Sequence, residues 1–187
     1  MSRQALARYG RIAILQHWVS VALIVTLFGL GWRMVSLPLG PSKFELYAFH
    51  KSLGLVVLAL STVRLLWRVV GAVPAPVDGP VCQQHAAAAA HWTLYALLFA
   101  LPLSGWLFNS FVGFPLSFLG LVDLPPLAAP EPALKENARL AHLWLGYLLL
   151  ALLAIHAAAA LHHQFVKRDG TLSRMLPGLS QATRRAS

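Results

Sequence analysis

Residues 140–166, LAHLWLGYLLLALLAIHAAAALHHQFV, decide the fold class of this chain. The stretch has 27 residues and contains no Asp, Glu, Lys or Arg. About 20 consecutive apolar residues are enough for a helix to cross the hydrocarbon core of a bilayer. A second uncharged apolar run covers residues 12–32. The two runs predict membrane-spanning helices near both ends of the chain.

The overall composition also indicates a membrane protein. Of the 187 residues, 58% are hydrophobic and 11% are charged, whereas soluble domains are about one-quarter charged and under about one-half apolar. Residues 47–70 and 86–110 are two further apolar stretches of sufficient length. The sequence therefore predicts an all-α integral membrane four-helix bundle. We expect a single membrane domain of residues 1–187, with spans at about 12–36, 47–71, 87–110 and 139–165 and a basic tail at about 170–187.

Residues 111–122 are apolar as well, but they are too few to cross a bilayer. Gly113, Pro115 and Gly120 interrupt this segment, and such residues mark turns and loops. We therefore expect the segment to be a loop that lies at the membrane surface.

The basic residues predict the orientation of the bundle. Four spans place both termini on the same side of the membrane. Ten of the fifteen Lys and Arg residues fall on that side, namely Arg3, Arg8, Arg11, Arg64, Arg68, Lys167, Arg168, Arg174, Arg184 and Arg185. Cytoplasmic loops carry an excess of Lys and Arg, so both termini are expected in the cytoplasm. Most of the net charge of +9 then faces the anionic headgroups of the inner leaflet, and we infer no nucleic-acid binding from it.

Four of the eight histidines lie at matched depths in the predicted spans. Polar side chains at bilayer depth are costly, so they usually face the bundle interior. His142 and His156 are fourteen residues apart, which places them within about 40° on one helix face and about 21 Å apart along the axis. His50 lies near the outer start of the second span, and His17 lies near the inner start of the first. The histidines therefore form an outer pair, His50 with His142, and an inner pair, His17 with His156.

Two imidazoles from facing helices at one depth are suited to bind a haem iron, because the porphyrin supplies the other four nitrogens. Gly54 and Gly146 support this interpretation, since they follow His50 and His142 by four residues on the same helix face. A glycine there leaves room for a macrocycle bound one turn away. The haem must be held noncovalently, because Cys82 is the only cysteine and the sequence has no C-x-x-C-H motif.

The same glycines and histidines are also compatible with roles that involve no haem. Small residues four apart let membrane helices pack closely, and a histidine at a helix end can hydrogen-bond near the headgroups. His91 also lies at the inner level and is an alternative to His17 as the inner ligand. A zinc site would gather three or four ligands at one place, whereas these histidines are divided between two depths. A proton path would use acidic residues, which the predicted spans lack.

Six motifs cover most of the chain. In chain order they are ILQHW (14–18), FHKSLG (49–54), VRLLWR (63–68), HWTLYALLFALPLSGW (91–106), AHLWLGY (141–147) and IHAAAALHHQFVKRDGTLSRMLP (155–177). Their order and spacing resemble the bacterial cytochrome b561 family, small four-helix dihaem proteins of the inner membrane. The resemblance runs from about residue 8 to about residue 178.

The resemblance implies two b-type haems with His17, His50, His142 and His156 as axial ligands. It also implies electron exchange with ubiquinone in the bacterial inner membrane. In the best-understood form of the family, superoxide at the periplasmic face reduces the outer haem, and the inner haem reduces ubiquinone. The expected function is therefore that of a superoxide oxidase, an oxidoreductase that links superoxide to the quinone pool.

Two basic residues near the outer pair are suited to a small anion. Lys51 adjoins His50, and Arg139 lies one turn before His142. Positive charge focused at a cleft raises the encounter rate of an anion such as superoxide. Ordinary interfacial anchors have the same composition and are the alternative. Lys51 and Arg139 are our candidates for superoxide steering.

Three residues near the inner pair are candidates for contacts to haem and quinone. Arg64 is fourteen residues after His50 and returns to nearly the same face at the inner level. It can pair with a propionate of the inner haem or snorkel to the interface. His163 follows His156 by seven residues, about 10 Å nearer the cytoplasm. His163, with His91 as helper, is a candidate to hydrogen-bond a quinone carbonyl or to deliver a proton.

Two other functions are compatible with the same residues. The first is a quinol-linked electron carrier that serves a periplasmic partner protein, which keeps the haems and changes the substrate. The second is a non-redox transporter or membrane subunit that uses histidines for protons or a metal. Haem content and the reaction with superoxide distinguish the three functions.

Overall fold

The computed structural model describes residues 9–71 and 79–176. Four long helices account for most of them: α1 (Arg11–Ser36), α2 (Pro41–Val70), α3 (Val81–Val112) and α4 (Lys135–His162). A π-helical turn, His163–Lys167, continues α4, and a 3₁₀ turn, Leu172–Arg174, follows. All four helices are long and apolar enough to cross a membrane. The prediction of an all-α, four-helix membrane protein is confirmed.

The helices extend beyond the apolar spans that the sequence predicts. α2 and α3 each begin six residues before the predicted span, α2 at Pro41 and α3 directly after Pro80. Proline suits the start of a helix because its missing N–H has no intrahelical partner there. α3 ends at Val112, and the Gly113 that follows has a left-handed φ of 81°, a conformation common in glycine directly after a helix. Hydropathy marks the hydrocarbon core, whereas the helical hydrogen bonds continue into the interface.

Some predictions concern residues outside the described part of the chain. The predicted basic tail falls partly on residues 177–187, which are outside it. Four of the arginines used to predict orientation are also outside it, namely Arg3, Arg8, Arg184 and Arg185. The described ends of the chain meet on one side of the bundle, where Trp18 Nε1 donates a hydrogen bond to the Met175 carbonyl at 3.0 Å. We call this side the terminal side.

The segment 111–122, which we expected to be a loop, contains regular structure from residue 116 onward, and the prediction was wrong there. Residues 116–124 form an antiparallel hairpin of β1 (Leu116–Phe118) and β2 (Val122–Leu124). Three residues, 119–121, connect the strands; φ is positive at Leu119 (52°) and Gly120 (70°), and the Leu121 N–H donates to the Phe118 carbonyl at 2.9 Å, which closes a β-turn. The opposite side of the bundle is therefore called the hairpin side.

Hydrogen bonds fasten this connection to α2 and α3. The Leu119 N–H donates to Ser52 Oγ, and the Leu127 N–H donates to Ser110 Oγ, each at 3.0 Å. Both serines are buried, as is Leu116. The hairpin is therefore packed over the helix ends, where Ser52 follows His50 by two residues.

The buried faces of the helices carry the histidines. Ile24 on α1, Val57 on α2 and Leu149 on α4 are buried, and each is seven residues from a histidine of the predicted quartet. Seven residues return to nearly the same side of a helix, about 10 Å along it. Ile24, Leu97 and Leu149 form the hydrophobic core in the middle of the bundle. An apolar layer thus separates two levels of histidines.

Candidate haem-binding site

On the hairpin side, α2 and α4 bring His50 and His142 together. The centroids of their rings are 6.4 Å apart, and the ring planes meet at 79°. Two imidazoles on opposite sides of one metal ion would have centroids about 6.4 Å apart, given metal–nitrogen bonds of about 2.0–2.1 Å and about 1.2 Å from nitrogen to ring centre. The spacing of this pair is compatible with one metal ion between the two rings.

Hydrogen bonds set the tautomer of His142. Its Nδ1 lies 3.1 Å from the Leu101 carbonyl oxygen and 3.0 Å from Ser104 Oγ, which itself donates to the same carbonyl. Because the carbonyl accepts only, Nδ1 carries the proton and Nε2 keeps its lone pair. Metal-ligating histidines usually donate their second N–H to a backbone carbonyl in this way. The His142 environment fits a ligand that binds iron through Nε2.

The ring of His142 also requires the glycine beside it on α3. A Cβ at Gly105 would lie 3.0 Å from His142 Cε1 and 3.2 Å from Nδ1, closer than ordinary van der Waals contact. Gly105 therefore lets α3 approach the imidazole edge. Neither Ser104 nor Gly105 was predicted from the sequence, because nothing in one sequence distinguishes this serine and glycine from others in a membrane helix.

The His50 side chain, on α2, lies against α1. A Cβ at Gly31 would be 3.9 Å from His50 Cε1. The buried Nδ1 lies near the Leu27 carbonyl but makes no hydrogen bond of ordinary geometry to any residue within 9–71 or 79–176. Leaving a buried polar atom unsatisfied costs about 1–3 kcal/mol. The described residues therefore leave one nitrogen of His50 without a hydrogen-bond partner. An imidazole in this state is suited to bind a ligand from outside the chain.

The two glycines one turn from these histidines differ in the space beside them. Gly54 is half-buried, yet a Cβ there would meet no atom within 4 Å. At Gly146 a Cβ would meet only Phe28 Cε1 at 3.9 Å and Leu101 Cδ1 at 4.0 Å. Neither glycine therefore places a side chain against the hairpin-side pair, and the space beside Gly54 is open.

On the terminal side, three histidines and an arginine lie together. The His91 and His156 rings have centroids 5.5 Å apart. Arg64 Nη1 donates to His17 Nδ1 at 3.2 Å, and His156 and His91 are both close enough to act electrostatically on His17. The structure therefore places His17 and its rival His91 in one layer with His156.

Arg64 lies inside the bundle at this level. Besides its bond to His17, its Nε donates to the Tyr95 hydroxyl oxygen at 3.2 Å. Since a guanidinium only donates, His17 Nδ1 accepts, and its Nε2 carries the proton in the neutral ring. Binding of iron by Nε2 would require that proton to leave and Arg64 to release the ring. A released Arg64 would be beside the haem, where a propionate is its natural partner.

The two candidate residues for superoxide steering have polar partners. Lys51 Nζ donates to Asn109 Oδ1 and to the Pro115 carbonyl, both at 3.1 Å. Arg139 pairs with Glu136 through two hydrogen bonds of 2.8 and 2.6 Å at the protein surface. An ammonium has three donors and a guanidinium has five. Each cation therefore keeps donors for an anion.

His163 lies in a hydrogen-bonded group at the terminal end. Its Nδ1 contacts Asp169 Oδ2, and its Nε2 lies 2.9 Å from Gln83 Nε2 on α3. Burial acts to raise the pKa of Asp169, but hydrogen bonds from Thr171 and His163 outweigh it, so this pKa lies below its ordinary value. Neither Gln83 nor Asp169 was predicted from the sequence. The Asp-Gly pair at 169–170 was a signal only for a turn.

Comparison with known proteins identifies the family of this chain. A family model described as prokaryotic cytochrome b561 matches residues 8–178. Cytochrome b561 homolog 2 of Escherichia coli (strain K12) is 36% identical over 171 residues, 90% of this chain and 91% of that protein. Homolog 1 of the same organism is 31% identical over 179 residues, 91% and 97% of the two chains.

A third relative, the probable superoxide oxidase CybB of Yersinia pestis, is 28% identical over 177 residues, 91% of this chain and 96% of that protein. The matches cover all four membrane helices, and the family carries b-type haem. The chain therefore belongs to the prokaryotic cytochrome b561 family, as a multi-pass electron carrier of the bacterial inner membrane.

Proposed function

We propose that this protein oxidises superoxide at the periplasmic face of the inner membrane and reduces ubiquinone at the cytoplasmic face. The terminal side is then the cytoplasmic side, in line with the excess of Lys and Arg there. The observation that carries the proposal is the division of the imidazoles into two layers of one bundle. Support for the substrate comes from the Yersinia pestis relative, whose name is probable superoxide oxidase.

In this proposal two haems b are held by four histidines. His50 and His142 would hold the one on the hairpin side, and His17 and His156 would hold the one on the terminal side. Haem supplies reversible one-electron chemistry when bound. The fourteen residues between His142 and His156 separate the layers by about 21 Å along α4, so the two substrates react at opposite faces.

Lys51 and Arg139 attract and orient superoxide. Their unused N–H donors offer charge-assisted hydrogen bonds to a small anion. Superoxide loses one electron and leaves as oxygen, so this face needs no nucleophile and no proton donor. Two superoxide ions supply the two electrons of one quinol, and the two protons come from the cytoplasmic side. His163 faces the quinone, with His91 as a second polar group nearby.

The first test is the haem content of the purified protein, by pyridine haemochrome. We expect about two haems per chain, since two imidazole pairs are proposed. The second test is stopped-flow mixing of oxidised protein with superoxide, followed by measurement of ubiquinol. We expect haem reduction faster than the spontaneous decay of superoxide, and about one quinol for two superoxide ions consumed.

Three other results would contradict the proposal in different ways. Haem reduction no faster than background would exclude superoxide as substrate and would favour a quinol-linked carrier for a periplasmic protein. One haem per chain would exclude the two-haem path. Protein without haem after expression with ample haem would favour a non-redox membrane subunit or transporter.

A further inference from the structure

Hydrogen bonds connect Lys167, Gln83, His163 and Asp169. In each of them only one assignment of donor and acceptor is possible. Lys167 Nζ donates to Gln83 Oε1 at 2.8 Å. A lysine ammonium has no acceptor, so the oxygen of the Gln83 amide must face Lys167. The amide nitrogen then faces His163 Nε2, at 2.9 Å, and can only donate to it. His163 Nε2 is therefore the acceptor.

The hydrogen bond at Nδ1 of the His163 ring assigns the same tautomer. Thr171 donates twice to Asp169 Oδ1, from its backbone N–H at 3.0 Å and from its hydroxyl at 2.6 Å. The second oxygen, Oδ2, faces His163 Nδ1. An ionised carboxylate accepts only, so Nδ1 carries the proton and donates. The two sides together hold His163 in the tautomer with a protonated Nδ1 and a free lone pair on Nε2.

The backbone departs from α-helical geometry to make this contact. In a continued α-helix, residue 169 would lie about 9 Å along the axis from residue 163 and about 120° away around it. Instead, His163–Lys167 is a π-helical turn, and Arg168 has a φ of 55°. The N–H of Arg168 and the N–H of Asp169 both donate to the His163 carbonyl. π-turns and left-handed non-glycine residues are costly and are frequent at functional sites.

We propose that Asp169 is the positioning residue that makes His163 the proton donor to ubiquinone, and that the quinone oxygen takes the place of the Gln83 amide at His163 Nε2. This inference rests on the proposed reduction of ubiquinone at the terminal side. Asp169 fixes the ring and stabilises the imidazolium, as a carboxylate does for a catalytic histidine. Gln83 occupies the position at Nε2 in the neutral ring, and the quinone oxygen, which only accepts, would take that position when Nε2 is protonated.

The proton balance of the step is simple. His163 takes a proton from cytoplasmic water at Nε2 and becomes an imidazolium, with both N–H bonds satisfied by Asp169 and the quinone carbonyl. As the quinone gains two electrons, the carbonyl double bond becomes a C–O single bond, and the Nε2 proton moves to that oxygen. Water supplies the proton of the other oxygen. His163 returns to the tautomer seen in the structure.

Asp169→Asn gives a sharp prediction for the tautomer. Its one remaining oxygen would accept the two donors of Thr171, so its NH₂ group would face His163 and donate to Nδ1. Gln83 would still donate to Nε2, so a ring with a single lone pair would face a donor on each side and would lose the single tautomer of the wild type. Asp123→Asn, on the exposed hairpin strand β2, makes the same chemical change at the other end of the bundle and is the matched control.

The experiment uses haem-loaded, ¹⁵N-histidine-labelled protein reduced with dithionite, with His163→Ala to assign the His163 signals. We expect a protonated Nδ1 in the wild type and in Asp123→Asn, and a mixture of Nδ1-protonated and Nε2-protonated rings in Asp169→Asn. In steady-state quinone reduction, we expect Asp169→Asn to lower kcat about 100-fold with KM nearly unchanged, Asp169→Glu to recover part of the loss, and Asp123→Asn to match the wild type.

The possible results distinguish a failure of this inference from a failure of the proposed function. No quinol formation by the wild type would overturn the proposed function. An active wild type with a protonated Nε2, or an Asp169→Asn variant with unchanged tautomer and kcat, would overturn the inference alone. Loss of haem or of folding in Asp169→Asn with wild-type kcat per remaining holoprotein would show a structural role and would also overturn it.

Discussion

The imidazole rings of His50 and His142 face each other across the bundle with their centroids 6.4 Å apart. They come from helices α2 and α4 and are 92 residues apart in the sequence. One ring is fixed by the Leu101 carbonyl, and the other has a buried nitrogen with no hydrogen bond of ordinary geometry to the described residues. Neither histidine has a substitute on the hairpin side within the described ranges, so each should be indispensable to a cofactor bound there.

Single substitutions of the α4 histidines should each remove one haem. His142→Ala removes a ligand on the hairpin side, and His156→Ala removes one on the terminal side. We expect about one haem per chain in each variant instead of about two, measured by pyridine haemochrome. Retention of both haems by either variant would contradict the proposed ligand set.

The terminal-side layer calls for a separate comparison of two residues. His17 and His91 both lie near His156, and we propose His17 as the ligand. We expect His17→Ala to lose about half of the haem and His91→Ala to keep all of it. The reverse result would assign the second axial position to His91.

A leucine at Gly54 should prevent haem binding on the hairpin side. The space beside Gly54 is open in the structure and half-buried, so the new side chain would occupy the volume proposed for the macrocycle. Gly29→Leu is the matched control, because Gly29 also has open space but is exposed on the outer face of α1. We expect about one haem per chain in Gly54→Leu and about two in Gly29→Leu. Equal haem content would show that the space at Gly54 is not used.

Changes in charge at residues 136 and 139 should act in opposite directions on the reaction with superoxide. Glu136→Gln frees Arg139 from its ion pair and should speed haem reduction about two- to threefold at low ionic strength. Arg139→Gln should slow it by a similar factor. Both effects should shrink at about 0.5 M salt, since screening shortens the reach of exposed charges. Rates that do not depend on either charge would leave Arg139 as an interfacial anchor.

Acid should remove the contribution of Asp169 to stability. Its pKa is lower in the folded protein than its ordinary value of 3.8, so the carboxylate stabilises the fold above that value. This stabilisation is lost as the pH falls through the lower, folded pKa. We expect the wild type to melt at a higher temperature than Asp169→Asn at pH 7 and the difference to shrink toward pH 3. If the difference in melting temperature between the two proteins does not change with pH, the effect of the substitution comes from side-chain shape and not from the charge of Asp169.

The sequence predicted the helices because membrane insertion is governed by local properties. A long apolar run must satisfy its backbone hydrogen bonds within itself, so it forms a helix whatever its neighbours are. The fixed rise per residue then predicted which histidines share a depth, and the structure places His50 near His142. The hairpin was missed because its residues have no pattern strong enough to distinguish a short strand from an apolar loop.

The chain's own sequence thus determined the four spans, the family and the two levels of histidines, all of which follow from hydropathy, motif order and helical rise. The tertiary structure alone decided the partners of each imidazole: Leu101 for His142, Arg64 for His17, and Asp169 with Gln83 for His163. Such contacts depend on the rotation and crossing of helices distant in sequence, or on a π-turn that breaks the helical period. Periodicity within one helix carries no information about either.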